Sequence, residues 1–249
     1  MPTIEVKNLV KKFKEFMAVD NISFSVDEGE CFGLLGPNGA GKTTTINILA
    51  TLLKPTSGFA SVAGFDVTKF RNEVRKNIGI VFQEPALDSR LTGRENLEFH
   101  AMMYGIDKTT RNQRIKGLLD LVELAEKANV LVRNYSGGMK RRLEIARGLI
   151  HTPKVLFLDE PTLGLDSQTR RLIWEYIKKL KVTIILTTHY MEEAEFLCDR
   201  IGIIDHGKIA TLDTLANLKA THGGKSLEDI FLEYTGKEIR NTEVREKVW

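Results

Sequence analysis

Gly36-Pro37-Asn38-Gly39-Ala40-Gly41-Lys42-Thr43 lies between an apolar run, Cys31 to Leu35, and a segment of helical periodicity, Thr43 to Leu53. A glycine-rich loop that ends in Gly-Lys-Thr and joins a strand to a helix is the pattern that surrounds the phosphates of a nucleotide. Its glycines let successive backbone N–H groups turn inward around phosphate oxygens. The helix that follows adds the positive end of its dipole. In this pattern Lys42 reaches the β- and γ-phosphates and the Thr43 hydroxyl is a ligand of Mg²⁺. The bland alternative is a glycine-rich turn that matches by chance. The strand–loop–helix setting counts against it.

Working outward, Ile4 to Val10 and Asn21 to Val26 alternate as strands do and bracket a basic, aromatic segment. Lys54-Pro55-Thr56-Ser57-Gly58 is a turn signal. Ile78 to Phe82 is a further strand. Between about Leu91 and Val132 the pattern is helical, in Glu95 to Phe99 and in Ile115 to Leu124, with no strand run between. Val155 to Leu158 and Val182 to Leu186 are continuous apolar runs, as parallel strands buried on both faces require. Ile201 to Ile204 and Ile209 to Leu212 flank the turn Asp205-His206-Gly207-Lys208. The expected fold is α/β: a phosphate-loop core with an N-terminal antiparallel β portion and an inserted helical subdomain. The core takes about residues 1–89 and 151–240, the helical subdomain about 90–150, and a charged tail 241–249.

Val155 to Leu158 ends in Asp159-Glu160. An Asp at a strand end helps to hold Mg²⁺ in phosphate-loop NTPases. The acid one residue later can polarise an attacking water as a general base. Asp159 alone would also read as a helix N-cap. Asn134-Tyr135-Ser136-Gly137-Gly138-Met139 precedes a helix that runs to about Ile150, a second anion-binding helix N-terminus. One nucleotide does not need two such sites in one subunit, which points to a site shared between two. Read alone, Ser136 is an N-cap beside a glycine turn.

Taken together, these elements resemble the ATP-binding subunits of ABC transporters over nearly the whole chain. The phosphate loop, the Ser136-Gly137-Gly138 signature and Asp159-Glu160 come in that family's order. Gln83, after Ile80-Val81-Phe82, falls at its Q-loop glutamine. Leu163-Gly164-Leu165-Asp166 resembles its D-loop, and His189, after Leu186-Thr187-Thr188, its switch histidine. Singly, Gln83 reads as a solvated loop residue, His189 as a helix cap and Asp166 as a helix-start residue. Phe13 fits the family's adenine-stacking aromatic, with Phe16 as its competitor; Lys14 stands where the family often has glycine. The form Tyr-Ser-Gly-Gly-Met, Tyr190 to Glu195 and Ser226 to Phe231 are similar to the daunorubicin-resistance branch of drug and lipid exporters.

The resemblance implies ATP hydrolysis in the cytoplasm, at the face of a membrane. Glu160, His189 and Gln83 serve catalysis, and Thr43, Gln83 and Asp159 serve Mg²⁺. Phe13, Gly36, Pro37, Asn38, Gly39, Ala40, Gly41, Lys42, Thr43 and Thr44 bind nucleotide, with Ser136, Gly137 and Gly138 supplied in trans. It implies a transmembrane permease partner and a second copy of the chain or a related ATP-binding subunit. An importer subunit, a soluble ABC ATPase not coupled to transport and a non-hydrolysing regulator are the alternatives; Glu160 argues against the last.

Bulk properties agree. Of 249 residues, 42% are hydrophobic, and 36 basic against 33 acidic residues leave a net charge of +3, too small to argue for nucleic acid as a partner. The basic run Lys140-Arg141-Arg142 reads as a solvated helix face. Cys31 and Cys198 lack metal-type spacing and read as buried thiols. The N-terminal MPTIEVKNLV has no signal-peptide core, and no run approaches the roughly 18 apolar residues of a membrane span. The helix through Trp174 to Leu180 meets the next strand almost without a loop, which should shorten its end.

Overall fold

The computed structural model describes residues 2–236; the charged tail 241–249 lies outside them. Strands β1 (Ile4–Phe13) and β2 (Phe16–Val26) form an antiparallel hairpin, longer than their alternation suggested. The basic, aromatic segment is the tip of that hairpin, because Phe13 pairs directly with Phe16 and Lys14 takes the left-handed φ of 50° that closes the turn. With β4 (Ser57–Val62) and β5 (Phe65–Asp66) they make a sheet of order β2-β1-β4-β5.

The second sheet contains β3 (Cys31–Leu35), β6 (Ile78–Val81), β7 (Val155–Asp159), β8 (Thr183–Thr188), β9 (Arg200–Asp205) and β10 (Lys208–Thr214). Its order is β10-β9-β3-β8-β7-β6, parallel except for β10 at one edge. β7 and β8 are buried at every position, which explains their unbroken apolar runs. Between the two sheets lies a core in which the Phe24 and Phe32 rings stack at 5.1 Å beside Ile4, Leu9, Ile22 and Ile46.

Helix α1 (Lys42–Leu49) stops four residues short of the Leu53 expected from periodicity. Thr51 adopts φ 65°, outside helical space, and its carbonyl accepts from Arg71 Nη2 at 2.7 Å on the next helix, α2 (Arg71–Asn77). Helices α3 (Gly93–Met103), α4 (Lys108–Leu121) and α5 (Gly137–Leu149) follow β6 and gather their own apolar cluster around Leu97, Ile115, Leu119 and Leu143. A capping box, Thr92 with Glu95, starts α3. Helix α6 (Ser167–Lys178) ends early, so Lys179–Val182 remain as a short connection to β8. Helices α7 (Met191–Leu197), α8 (Leu215–Thr221) and α9 (Leu227–Thr235) complete the described chain.

Candidate active site at the strand ends

Open α/β sheets bind ligands beyond the carboxyl ends of their strands. Here four neighbouring parallel strands end on the residues singled out above. β3 delivers Gly36, β6 delivers Phe82-Gln83, β7 ends in Asp159 before Glu160, and β8 delivers His189. The registers Asp159↔Thr187 and Leu35↔Thr188 bring three of these ends level.

The loop before α1 is shaped by close approaches that only glycine permits. A Cβ on Gly36 would lie 2.3 Å from the Ile204 carbonyl oxygen. One on Gly41 would lie 2.4 Å from the Ala18 oxygen, and Gly41 also has φ 108°. Gly39, at φ 82°, has open space around it. Gly41→Ala should therefore cost roughly 2–4 kcal/mol of stability through strain and clash together, and Gly39→Ala about 1 kcal/mol through φ alone. Urea unfolding of the two variants checks this; equal losses would mean that the approach to Ala18 contributes nothing.

Lys42 is buried. Its ammonium donates to the carbonyl oxygens of Gly36 at 2.7 Å and Pro37 at 3.2 Å, and lies 3.3 Å from Glu160 Oε1. On the other side of Glu160, His189 Nδ1 lies 3.0 Å from Oε2. Burial pushes the Glu160 carboxyl up, but His189 and Lys42 pull harder and hold it below the usual carboxylate range, so it is ionised at neutral pH. Glu160 also takes φ 49°, a left-handed conformation unusual for a side chain of this size. Its N–H is held by both the carbonyl and the hydroxyl oxygen of Thr187, each at 3.1 Å. Strain of this kind, locked by hydrogen bonds, aims the carboxylate at Lys42 and His189.

Asp159 Oδ1 accepts from Thr187 Oγ1 at 2.5 Å and from Thr43 Oγ1 at 3.2 Å. Burial raises this carboxyl above its usual range against those two hydrogen bonds. A hydroxyl and a buried carboxylate meeting at the mouth of the phosphate loop are hard oxygen donors, the set that Mg²⁺ prefers. Thr43 and Asp159 thus fit a magnesium ion.

The remaining candidates are placed differently. Gln83 is exposed, and its side chain makes no hydrogen bond among the described residues. Ser136 is exposed and caps α5 by accepting from Met139 N at 3.2 Å. Neither it nor Gly137 or Gly138 is hydrogen-bonded to Lys42, Thr43, Asp159 or Glu160 among the described residues. Gly138 packs on α6, where a Cβ would lie 2.5 Å from Thr169 Cγ2. Asp166 caps α6, accepting from Thr169 N at 2.9 Å. Phe13 stands at the hairpin tip, 42% exposed, opposite Phe16 at 62%, with Lys11 Nζ 4.7 Å from its ring centre.

Sequence reading missed two groups. Glu193, fully buried on α7, accepts from Thr162 Oγ1 at 2.7 Å and Trp174 Nε1 at 2.8 Å, tying the segment after His189 to the segment after Glu160. The basic run at 140–142 is not a solvated face. Arg141 is 6% exposed and Arg142 Nη1 donates to the Val122 carbonyl at 3.0 Å, because α5 turns this side toward neighbouring segments. The two thiols are free and only partly buried.

Residues 19–163 match the family described as ABC transporter. The linearmycin resistance ATP-binding protein LnrL of Bacillus subtilis is 44% identical over 227 residues, spanning 90% of this chain and 73% of that protein. The daunorubicin/doxorubicin resistance ATP-binding protein DrrA of Streptomyces peucetius is 43% identical over 227 residues, 90% of this chain and 69% of that protein. Among solved structures, the dimeric post-hydrolysis state of the ATP-binding cassette MJ0796 bound to ADP and Pi superposes with a TM-score of 0.76 at 31% identity, covering 85% of this chain and 98% of that one.

Proposed function

The chain belongs to the ABC transporter family as an ATP-binding subunit that hydrolyses ATP, and from that premise we propose that it powers export through a separate transmembrane subunit at the cytoplasmic face of a membrane. Relatives named for resistance to linearmycin and to daunorubicin or doxorubicin favour export, since removing a toxic compound confers resistance to it. The resemblance to the daunorubicin-resistance branch rests on the same relatives.

In the proposed reaction the backbone N–H groups of Gly36 to Thr44, except at Pro37, and the start of α1 receive the phosphates. Lys42 exchanges the Gly36 and Pro37 carbonyls for phosphate oxygens. Thr43, Asp159 and Gln83 would hold Mg²⁺, which would neutralise charge on the phosphates when bound. Glu160 accepts a proton from the attacking water, and His189 keeps that carboxylate oriented. The Phe13 face stacks on adenine. Ser136, Gly137 and Gly138 reach the γ-phosphate held by a second copy of the chain or a related subunit. We place the division of labour between a core, about 1–89 and 151–240, and a helical subdomain, about 90–150.

The observation that carries the partner reading is on α3. Phe99, Met102 and Met103 are 62%, 56% and 69% exposed, and their spacing of three and four residues puts them on one helix face. Exposed apolar patches on a helix are contact surfaces. No described helix is long and apolar enough to cross a membrane, and this exposed face is the surface we assign to the transmembrane subunit. Phe99→Ser with Met103→Ser should leave ATP binding and the melting temperature nearly unchanged. It should abolish co-purification with the transmembrane subunit from detergent-solubilised membranes. Undiminished recovery, or crosslinks to that subunit confined to the far side of the core, would sink the assignment.

A further inference from the structure

Three charged side chains, one helical turn apart on the inner face of α5, grip the segment that carries Gln83. Arg141 Nη1 donates to the Phe82 carbonyl at 2.5 Å and Nη2 donates to the Gln83 carbonyl at 2.9 Å. One guanidinium thus bridges two successive peptide groups, with a separate nitrogen of its rigid planar fork on each carbonyl, a geometry that the single nitrogen of a shorter lysine does not reproduce at this site. Three residues on, Glu144 Oε1 accepts the Ala86 N–H at 2.7 Å, and after a further turn Arg147 Nη1 donates to the Ala86 carbonyl at 2.9 Å. The three are also joined to one another. Arg141 Nη1 lies 3.2 Å from Glu144 Oε2, and Arg147 Nη2 lies 3.7 Å from Oε1. Glu144 is fully buried and Arg141 nearly so.

Burying such a network costs desolvation that hydrophobic residues of the same volume would avoid, so it is a poor way to gain stability and a good way to fix a geometry. Its targets are all backbone groups beyond the end of β6, where the strand has released the chain. The segment 82–86 is therefore anchored to α5 instead of the sheet. The other end of α5 is the Ser136 cap.

We propose that Arg141, braced by Glu144 and Arg147, is a positioning residue that holds the Gln83 segment to the helix carrying Ser136, so that the two move as one body. This rests on the reading of Gln83 and Ser136 given above. With it, drawing Ser136 onto the nucleotide of a second subunit also moves Gln83 beside the nucleotide of its own. The clamp makes each site sensitive to the occupancy of the other.

The test is a double-mutant cycle on turnover, because residues that act through one another are non-additive. Q83A and R141M should each lower kcat for ATP by about ten- to a hundredfold, the scale of misplacing a group near the reaction. ATP affinity, read with a fluorescent analogue in the E160Q background, should stay within about threefold. The double variant Q83A/R141M should be no slower than Q83A. R141K, which keeps the charge but replaces the two-nitrogen fork with one nitrogen on a shorter stem, should show the same loss with a near-normal melting temperature; it replaces R141M if that variant does not fold. Turnover within twofold of wild type in the folded Arg141 variant, or losses that multiply in the double variant, overturns the clamp. If Q83A itself turns over normally, the assignment of Gln83 fails, and the clamp fails with it.

Discussion

Glu160→Gln should leave ATP binding within a few-fold of wild type while hydrolysis falls by about 10²–10⁴-fold, the usual contribution of a general base. The substitution keeps the shape of the side chain, so the left-handed backbone at this position and the hold of Thr187 on its N–H are retained. What is lost is the negative charge between Lys42 and His189. Lys42→Ala does the reverse. It removes the buried cation beside the loop to which we assign the phosphates, and the ATP affinity should fall by roughly 10–100-fold, the worth of one or two charge-assisted hydrogen bonds. It also strands Glu160 with His189 alone, so a modest loss of stability at neutral pH should accompany it. Isothermal titration with ATP and a phosphate-release assay on both variants separate the roles. Equal loss of affinity in the two would contradict them. A Glu160→Gln protein that still hydrolyses at a tenth of the wild-type rate would remove Glu160 from the chemistry.

Where these two residues sit in the fold was legible in the sequence, because each lies in a pattern with its own physical reason. Lys42 closes a glycine loop, and Glu160 follows an apolar strand that must end at the sheet's carboxyl edge. The strand ends of the parallel sheet were legible for the same cause: runs such as Val155 to Leu158 have no polar side to alternate with. Boundaries set by a single backbone torsion were not. Nothing in the periodicity of α1 announces that Thr51 will turn left-handed and give its carbonyl to Arg71. Nor does alternation reveal that β1 runs on to Phe13, since its register slips at Leu9 and Lys11.

The buried charges were misread for a further reason. Lys140-Arg141-Arg142 looks solvated when taken as a run of like sign, but a run has no direction on a helix. The informative spacing is Arg141, Glu144, Arg147, alternating in sign at every third residue on one face. That pattern marks a face that satisfies its own charges and can be buried. Glu193 gives no such sign, because its partners Thr162 and Trp174 come from segments 31 and 19 residues away.

Ser136→Arg should abolish ATP-driven dimerisation while leaving the nucleotide site of the single chain intact. The structure separates the starts of α1 and α5, the two helix N-termini to which we assign phosphates. The start of α1 faces Asp159 and Glu160 through Lys42 and Thr43. The start of α5 is exposed at Ser136 and shares no hydrogen bond with those four residues among the described ones. Behind it Gly138 packs on Thr169, while Ser136 itself faces solvent, the side from which a second subunit would approach. An arginine there should project into a partner that approaches from that side, while the contacts of Lys42 with Gly36, Pro37 and Glu160 are left in place. The cost to α5 is the loss of one N-cap, about 1 kcal/mol, too little to unfold the chain. In the Glu160→Gln background trapped ATP should shift the protein to a dimer on size-exclusion chromatography. Adding Ser136→Arg should return it to monomer and weaken association by at least a hundredfold, because an unpaired cation would be buried in the contact. ATP affinity of the monomer should change less than threefold. A double variant that still dimerises on ATP would leave Ser136 as a helix cap only, and the shared site would then have to be sought elsewhere on the surface.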